Sequence, residues 1–197
     1  MSNAQSGLPP SGVTLKRAFE ELVATLDGRG IRYVIIGGIA MIQHARVRTT
    51  DDIDALLTIP QIALPGFFEE LQDRGFTIDV LRSIRDFRDA GLTTIRNGDV
   101  VVDLMRPILP IYAHVLDRAV SAEVFGIKVP VSSAEGLIVM KLVAMRPQDE
   151  ADVQDLLFAY AAQLDLDFIR AELDTFMTAD DPRRAKFESW VRRAQGS

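Results

Sequence analysis

The sequence predicts a mixed α/β (α+β) fold, a mixed sheet flanked by helices with a helical C-terminal part. Three patterns carry that expectation. Short apolar runs rich in Val, Ile and Leu alternate with helix-period segments as far as about residue 130. Two glycine-centred turns, at Asn97-Gly98-Asp99 and at Gly126, join β-rich runs as hairpins. From Ala134 onward almost every segment has helical periodicity. The expected division is a flexible tail over 1–12, an α/β core over 13–131 and a helical part packed on that core over 132–197.

Taken in order, Leu15, Phe19, Leu22, Val23 and Leu26 recur at helical spacing behind Thr14 as N-cap, and Gly28 and Gly30 stop the helix. The run RYVII before Gly37-Gly38 reads as a buried strand, and IAMIQHAR as a short helix opened by the glycines. DIDALLT is a second strand closed by Pro60, LPGFFEELQDRG a helix ended by Gly75, and FTIDVL a third strand. A hairpin over Leu92 to Met105, a short helix in PIYAHVLDRA and a second hairpin in AEVFGIKVPVS follow. AEGLIVMKLVAM is a helix broken at Pro147, and DEADVQDLLFAYA, DFIRAELDTFM and DPRRAKFESWVRRA are three more.

Composition narrows the function. The 197 residues are 48% hydrophobic and 25% charged, values that build an ordinary folded core. A net charge of -6 excludes a basic nucleic-acid coat and leaves room only for a local basic patch. With no cysteine, disulfides and Cys-ligated metals are excluded, and two histidines predict against a His-rich metal site. No segment approaches the roughly 18–20 apolar residues of a membrane span. The first residues lack a basic region followed by an apolar one, so the expectation is cytoplasmic residence without a membrane partner.

The chemistry concentrates between Tyr33 and Asp54, in YVIIGGIAMIQHARVRTTDDID. Glycines after a strand let backbone N–H groups approach an anion, and the helix that follows offers its positive end. Asp52 and Asp54 alternate with Ile53, so both carboxylates leave one face of a strand while Ile53, Ala55 and Leu57 enter the core. Arg48 and Thr50 join the carboxylate face if the strand starts early. Two carboxylates about 5 Å apart repel by roughly 3 kcal/mol at an effective dielectric near 20, and a cation between them removes that cost. Magnesium, held by one or two carboxylates plus substrate phosphates, suits such a pair.

Gly37-Gly38, a short helix and Arg48-Thr49-Thr50-Asp51-Asp52-Ile53-Asp54 resemble the signature of the nucleotidyltransferase superfamily. The likeness is greatest to AbiEii-type toxin nucleotidyltransferases and their uncharacterised relatives. It implies a nucleotidyltransferase-fold sheet and transfer of a nucleoside monophosphate from an NTP to an acceptor hydroxyl, with Mg²⁺ or Mn²⁺. Asp52 and Asp54 would be metal ligands, and Asp103 in VVVDLM fits the third carboxylate, with Asp79 in TIDVL as a lesser rival. Gly37, Gly38, Arg48, Thr50 and Lys141 would contact the nucleotide.

The downstream run with Lys141, Ala144, Arg146, Asp149 and Asp152 is similar to the family's second block. Lys141 also has a reading of its own. It interrupts the apolar run LIVMKLVAM, so its ammonium must reach water, pair with Asp149 or Asp152, or meet a phosphate. The resemblance implies an RNA acceptor and an antitoxin protein as partner, with a basic rim drawn from Arg46, Arg48 and the arginines of the last helix. Small molecules of the antibiotic type, protein hydroxyls and a catalytically silent nucleotide-binding module are the alternatives.

Overall fold

The runs Arg32–Ile36 (β1) and Asp52–Thr58 (β2) pair antiparallel at the centre of a six-stranded sheet. The computed structural model describes residues 14–44, 50–160 and 162–196. Two hairpins complete the sheet: Leu92–Asn97 (β3) with Val100–Met105 (β4), and Val120–Val124 (β5) with Ile127–Val131 (β6). The strand order is β3-β4-β2-β1-β6-β5. Parallel pairing of β4 with β2 and of β6 with β1 docks each hairpin onto the central pair, giving the mixed sheet expected from the sequence. The hairpins turn where expected, with Gly98 at φ 59° and Gly126 at φ 87°, a left-handed backbone that glycine adopts without a Cβ clash.

Nine helices are described: Leu15–Gly28 (α1), Gly37–His44 (α2), Leu64–Asp73 (α3), Val80–Asp89 (α4), Pro110–Asp117 (α5), Ala134–Ala144 (α6), Pro147–Tyr160 (α7), Leu166–Asp174 (α8) and Pro182–Ala194 (α9). The Thr14 hydroxyl caps α1 as expected, accepting the Arg17 N–H. Along β2, Ile53, Ala55 and Leu57 are fully buried while Asp52 and Asp54 leave the opposite face. The core joins Phe19, Leu22 and Leu26 of α1 to Phe67 and Phe68 of α3 and to the buried side chains of the central strands. After β6 the chain is helical; α6 packs against α2, α5, α7 and α8, and α9 against α7. Among the described residues no helix is long and apolar enough to cross a membrane.

One expected strand does not form. FTIDVL contributes a single bridge, Thr77 to Arg96, and then turns into α4. The Asp79 carboxylate accepts the Arg82 N–H at 3.0 Å and caps that helix, which satisfies a donor that a strand would have left to a neighbour. Asp79, the lesser rival for the third carboxylate, is thereby used as a cap. Asp79→Ala is expected to lower stability by about 1 kcal/mol, read from the urea midpoint.

Candidate active site

Register places the carboxylates. Ile36 at the end of β1 faces Asp54 across the antiparallel pair, and Asp54 faces Asp103 across the parallel one. Adjacent strands lie about 4.8 Å apart, whereas residues two apart along one strand are separated by about 6.6 Å. The tighter acidic pair is therefore Asp54 with Asp103, and Asp52 shares their face one step toward the exposed strand end, opposite Val101. Asp54 and Asp103 are both half-buried, and Asp52 is exposed. On the far side of β4, Thr94 stands opposite Asp103 and its hydroxyl donates to Asp103 Oδ1 at 2.6 Å.

The glycine turn packs directly on this pair. Gly37 has φ +61°, and a Cβ there would overlap the Asp54 carboxylate. A Cβ on Gly38 would overlap the Thr50 side chain. Both glycines thus let the start of α2 close onto β2, and the Gly38 N–H donates to Asp54. Thr50 lies beside Gly38, its hydroxyl directed to the Asp52 carbonyl at 3.4 Å. Arg48 lies outside the described residues. At the other end of α2, His44 Nε2 meets the Ser132 carbonyl at 2.7 Å and Nδ1 meets the Tyr160 hydroxyl at 3.1 Å. The carbonyl requires Nε2 to carry the proton, so Tyr160 donates to Nδ1. His44 ties α2 to α7.

A cavity of about 310 Å³ opens over Asp54, Asp103 and Gly37. Its opposite wall is α6, through Leu137, Met140, Lys141 and Ala144, with Arg146 just beyond the helix end. Lys141 is 6% exposed, and its ammonium pairs with Asp152 at 2.5 Å and with Asp149 at 3.3 Å. Arg146 donates to Asp149 at 2.9 Å through both its backbone N–H and Nε. Burial would raise the Asp149 carboxyl, but the Arg146 bonds and the Lys141 charge outweigh it and hold Asp149 below the ordinary aspartate range. Sequence reasoning missed Thr94, Tyr112, Met140 and Leu92 as neighbours of the carboxylates. The Thr94 contact is implicit in the hairpin register; the others depend on how the helices cover the sheet.

The acids fit a hard divalent cation. Burial and then the charge of Asp103 push the Asp54 carboxyl above the ordinary aspartate range, with Asp52 adding to the rise. The Gly38 N–H and Arg146 act in the opposite direction and are outweighed. A divalent cation would cancel that repulsion. Among the described residues no three acidic or His side chains form a ready-made cage. Two convergent carboxylates leave the remaining positions to water and substrate phosphates, which is how magnesium is usually bound.

The mixed sheet, the glycine turn and the facing carboxylates define a nucleotidyltransferase fold. The chain belongs to the family described as "Nucleotidyltransferase of unknown function (DUF6036)", which matches residues 13–193. Similar solved structures include the lincosamide antibiotic adenylyltransferase LnuA with lincomycin bound, at 15% identity and TM-score 0.52 over 74% of this chain and 98% of that one. Another is the antibiotic-resistance factor ANT(2'')-Ia, at 15% identity and TM-score 0.51 over 93% and 98%. A nucleotidyltransferase-like antigenic protein from Paracoccidioides brasiliensis aligns at 14% identity and TM-score 0.48 over 90% and 92%. For LnuA and ANT(2'')-Ia the likeness, at 15% identity, is one of fold. No curated protein matches the sequence.

Two predictions follow from these charges. A carboxyl raised by folding contributes stability fully present below its unfolded value and lost as pH rises through its folded value. Ionised Asp54 therefore costs stability in the metal-free protein at neutral pH. Asp54→Asn is expected to raise the metal-free melting temperature there, with the gain vanishing once pH falls below the ordinary aspartate range near 4; melts across that interval check it. Lys141→Met would remove the buried ammonium that bonds Asp152 and one side of Asp149. It is expected to cost about 3–5 kcal/mol in urea unfolding, whereas an unchanged midpoint with weaker NTP binding would assign the ammonium to phosphate.

Proposed function

We propose that the protein transfers a nucleoside monophosphate from an NTP to an acceptor hydroxyl, releasing pyrophosphate. The pairing of Asp54 with Asp103 across parallel strands, beside a turn that only glycine can make, carries this reading. Gly37 and Gly38 receive the triphosphate at the start of α2, with Arg48 and Thr50 as flanking contacts. Lys141 supports that wall from within its pairs to Asp149 and Asp152, and Arg146 brings a positive charge toward Asp54. Asp54 and Asp103, with Asp52 at the open end, hold Mg²⁺ or Mn²⁺. The metal supplies charge neutralisation at the triphosphate.

In this scheme the acceptor oxygen attacks the α-phosphorus as the bond to the bridging oxygen of the β-phosphate breaks. The hydroxyl proton passes to Asp103. The Thr94 hydroxyl holds Oδ1 of that carboxylate, which directs Oδ2 to the acceptor. Most of the rate enhancement comes from positioning and charge, as in phosphoryl transfer generally.

The AbiEii-type resemblance extends the scheme to an RNA acceptor and an antitoxin partner in the cytoplasm. The basic rim expected for RNA is engaged elsewhere in part, while Arg192 and Arg193 of α9 are exposed. Arg183 is bonded to Asp181 and to the Leu142 carbonyl, Arg184 is paired with Asp174, and Arg46 and Arg48 lie outside the described residues. A small-molecule acceptor is the second reading, favoured by the apolar part of the cavity lining.

Thermal melts with each ribonucleotide plus Mg²⁺ test the site. The matching NTP is expected to stabilise by about 2.7 kcal/mol at 100 times its Kd, and Asp54→Asn to remove the effect. Asp103→Asn is expected to lower kcat for pyrophosphate release by about 10²–10⁴-fold. Stabilisation by nucleotide without any pyrophosphate release would make the protein a silent binding module.

A further inference from the structure

The cavity is chemically divided, and the division follows the strand order. Gly37 lies at the end of β1, Asp54 on β2, Asp103 on β4 and Leu92 on β3, so the carboxylates separate the glycine turn from the β3 edge. In-line displacement puts the attacking oxygen opposite the leaving group. With pyrophosphate leaving on the glycine side, the acceptor enters from the β3 and β4 side.

That side is apolar. Leu92 and Met105 are register partners on the cavity face, and Tyr112 of α5 adds an aromatic wall. Outside the cavity, next to Leu92, Ile108 packs on Gly91 and adds aliphatic surface. Leu92 is 40% exposed, Ile108 52% and Leu109 36%, so three large aliphatic side chains close together are open to solvent at this edge. The 106–109 segment is held there by backbone: the Arg106 N–H donates to the Gly91 carbonyl at 2.8 Å, and Ile108 packs on Gly91, whose φ of +74° and lack of Cβ admit it.

The cations nearest this end are directed elsewhere or sit on other walls: Lys141 and Arg146 belong to the α6 side of the cavity, and Arg82 lies on the outer side of Leu92, paired with Asp86. Arg106 turns its guanidinium to the Arg88 carbonyl at 2.8 Å. Arg96 shares the cavity face of β3 but lies four residues from Leu92, about 13 Å along the strand, at the Asp52 end. On the wall formed by Leu92, Met105 and Tyr112, an acceptor carrying phosphates would meet apolar side chains where it needs arginine or lysine.

Resting on the transferase reading above, we infer that the acceptor is a small molecule whose hydroxyl is carried on an uncharged, apolar body, seated against Leu92, Met105, Tyr112 and the Ile108–Leu109 rim. Its oxygen forms the new bond to the α-phosphorus, its proton goes to Asp103, and pyrophosphate departs toward Gly37.

The test uses the full chain with 4-phenylbutan-1-ol, glycerol and total RNA as probes. Saturation-transfer NMR without metal or nucleotide reads binding alone: the aryl alcohol is expected to receive saturation, glycerol not. The exposed-rim variant Ile108→Asp is expected to weaken that signal about tenfold. With Mg²⁺ and the α-labelled NTP that stabilises the protein, label is expected in the aryl alcohol at least about tenfold faster than in glycerol. Ile108→Asp should raise the KM for the alcohol and leave the KM for the NTP unchanged. Label entering RNA with no effect of Ile108→Asp overturns the inference. So does a rise in NTP KM alone, which would give the apolar end to the nucleobase, and so does equal handling of the two alcohols. Absence of both nucleotide stabilisation and pyrophosphate release in the wild type is the separate signature of a failed transferase reading, and the inference falls with it.

Discussion

Asp54 and Asp103 are held side by side because β2 and β4 run parallel and in register, and much of the site is a response to that repulsion. Two carboxylates about one strand spacing apart repel by about 3 kcal/mol at an effective dielectric near 20. A sheet does not tolerate such a pair without compensation. Here Thr94 fixes one oxygen of Asp103, the Gly38 N–H reaches Asp54, and Arg146 lends positive charge from across the cavity. Burial still wins at Asp54, whose carboxyl stays above its ordinary range. The same pair forces the glycine turn, because the Asp54 carboxylate occupies the space that a Cβ at Gly37 would need.

A second electrostatic unit sets the opposite wall. Lys141, Asp149, Asp152 and Arg146 join α6 to α7 across the break at Pro147. Asp149 is fully buried and Lys141 nearly so, and their mutual pairing makes that burial tolerable. Arg146 belongs to both units, since it bonds Asp149 while facing Asp54. The placement of positive charge over the carboxylates therefore depends on an exposed guanidinium anchored to a buried carboxylate. His44, bonded to Ser132 and Tyr160, ties the helix that follows the glycines to α7 as well.

Much of the fold was legible in local pattern. Alternation in DIDALLT separated the core face from the carboxylate face, and the glycines at 98 and 126 located both hairpins. The segment after Gly75 was misread for a physical reason. FTIDVL has strand composition, but the Asp79 carboxylate captures a backbone N–H and starts a helix, with Thr77 left as a lone bridge to Arg96. Side-chain capping is a local competition that apolar periodicity does not report.

The sequence alone determined the residue types of the site: the glycines before a helix, the acids alternating along a strand, and a lysine interrupting an apolar helix. Those are consequences of backbone period and of the cost of burying charge, and both act within a few residues. Which acids converge was decided only by tertiary structure. Along β2, Asp52 and Asp54 look like the pair; across the sheet, the shorter spacing between strands joins Asp54 to Asp103, forty-nine residues away in the chain (103 less 54). The partners of Lys141 and the apolar approach past Leu92 and Ile108 were likewise set by how α5 and α6 close over the sheet. Neither is written in any local period, because contacts between distant segments are fixed by packing rather than by spacing.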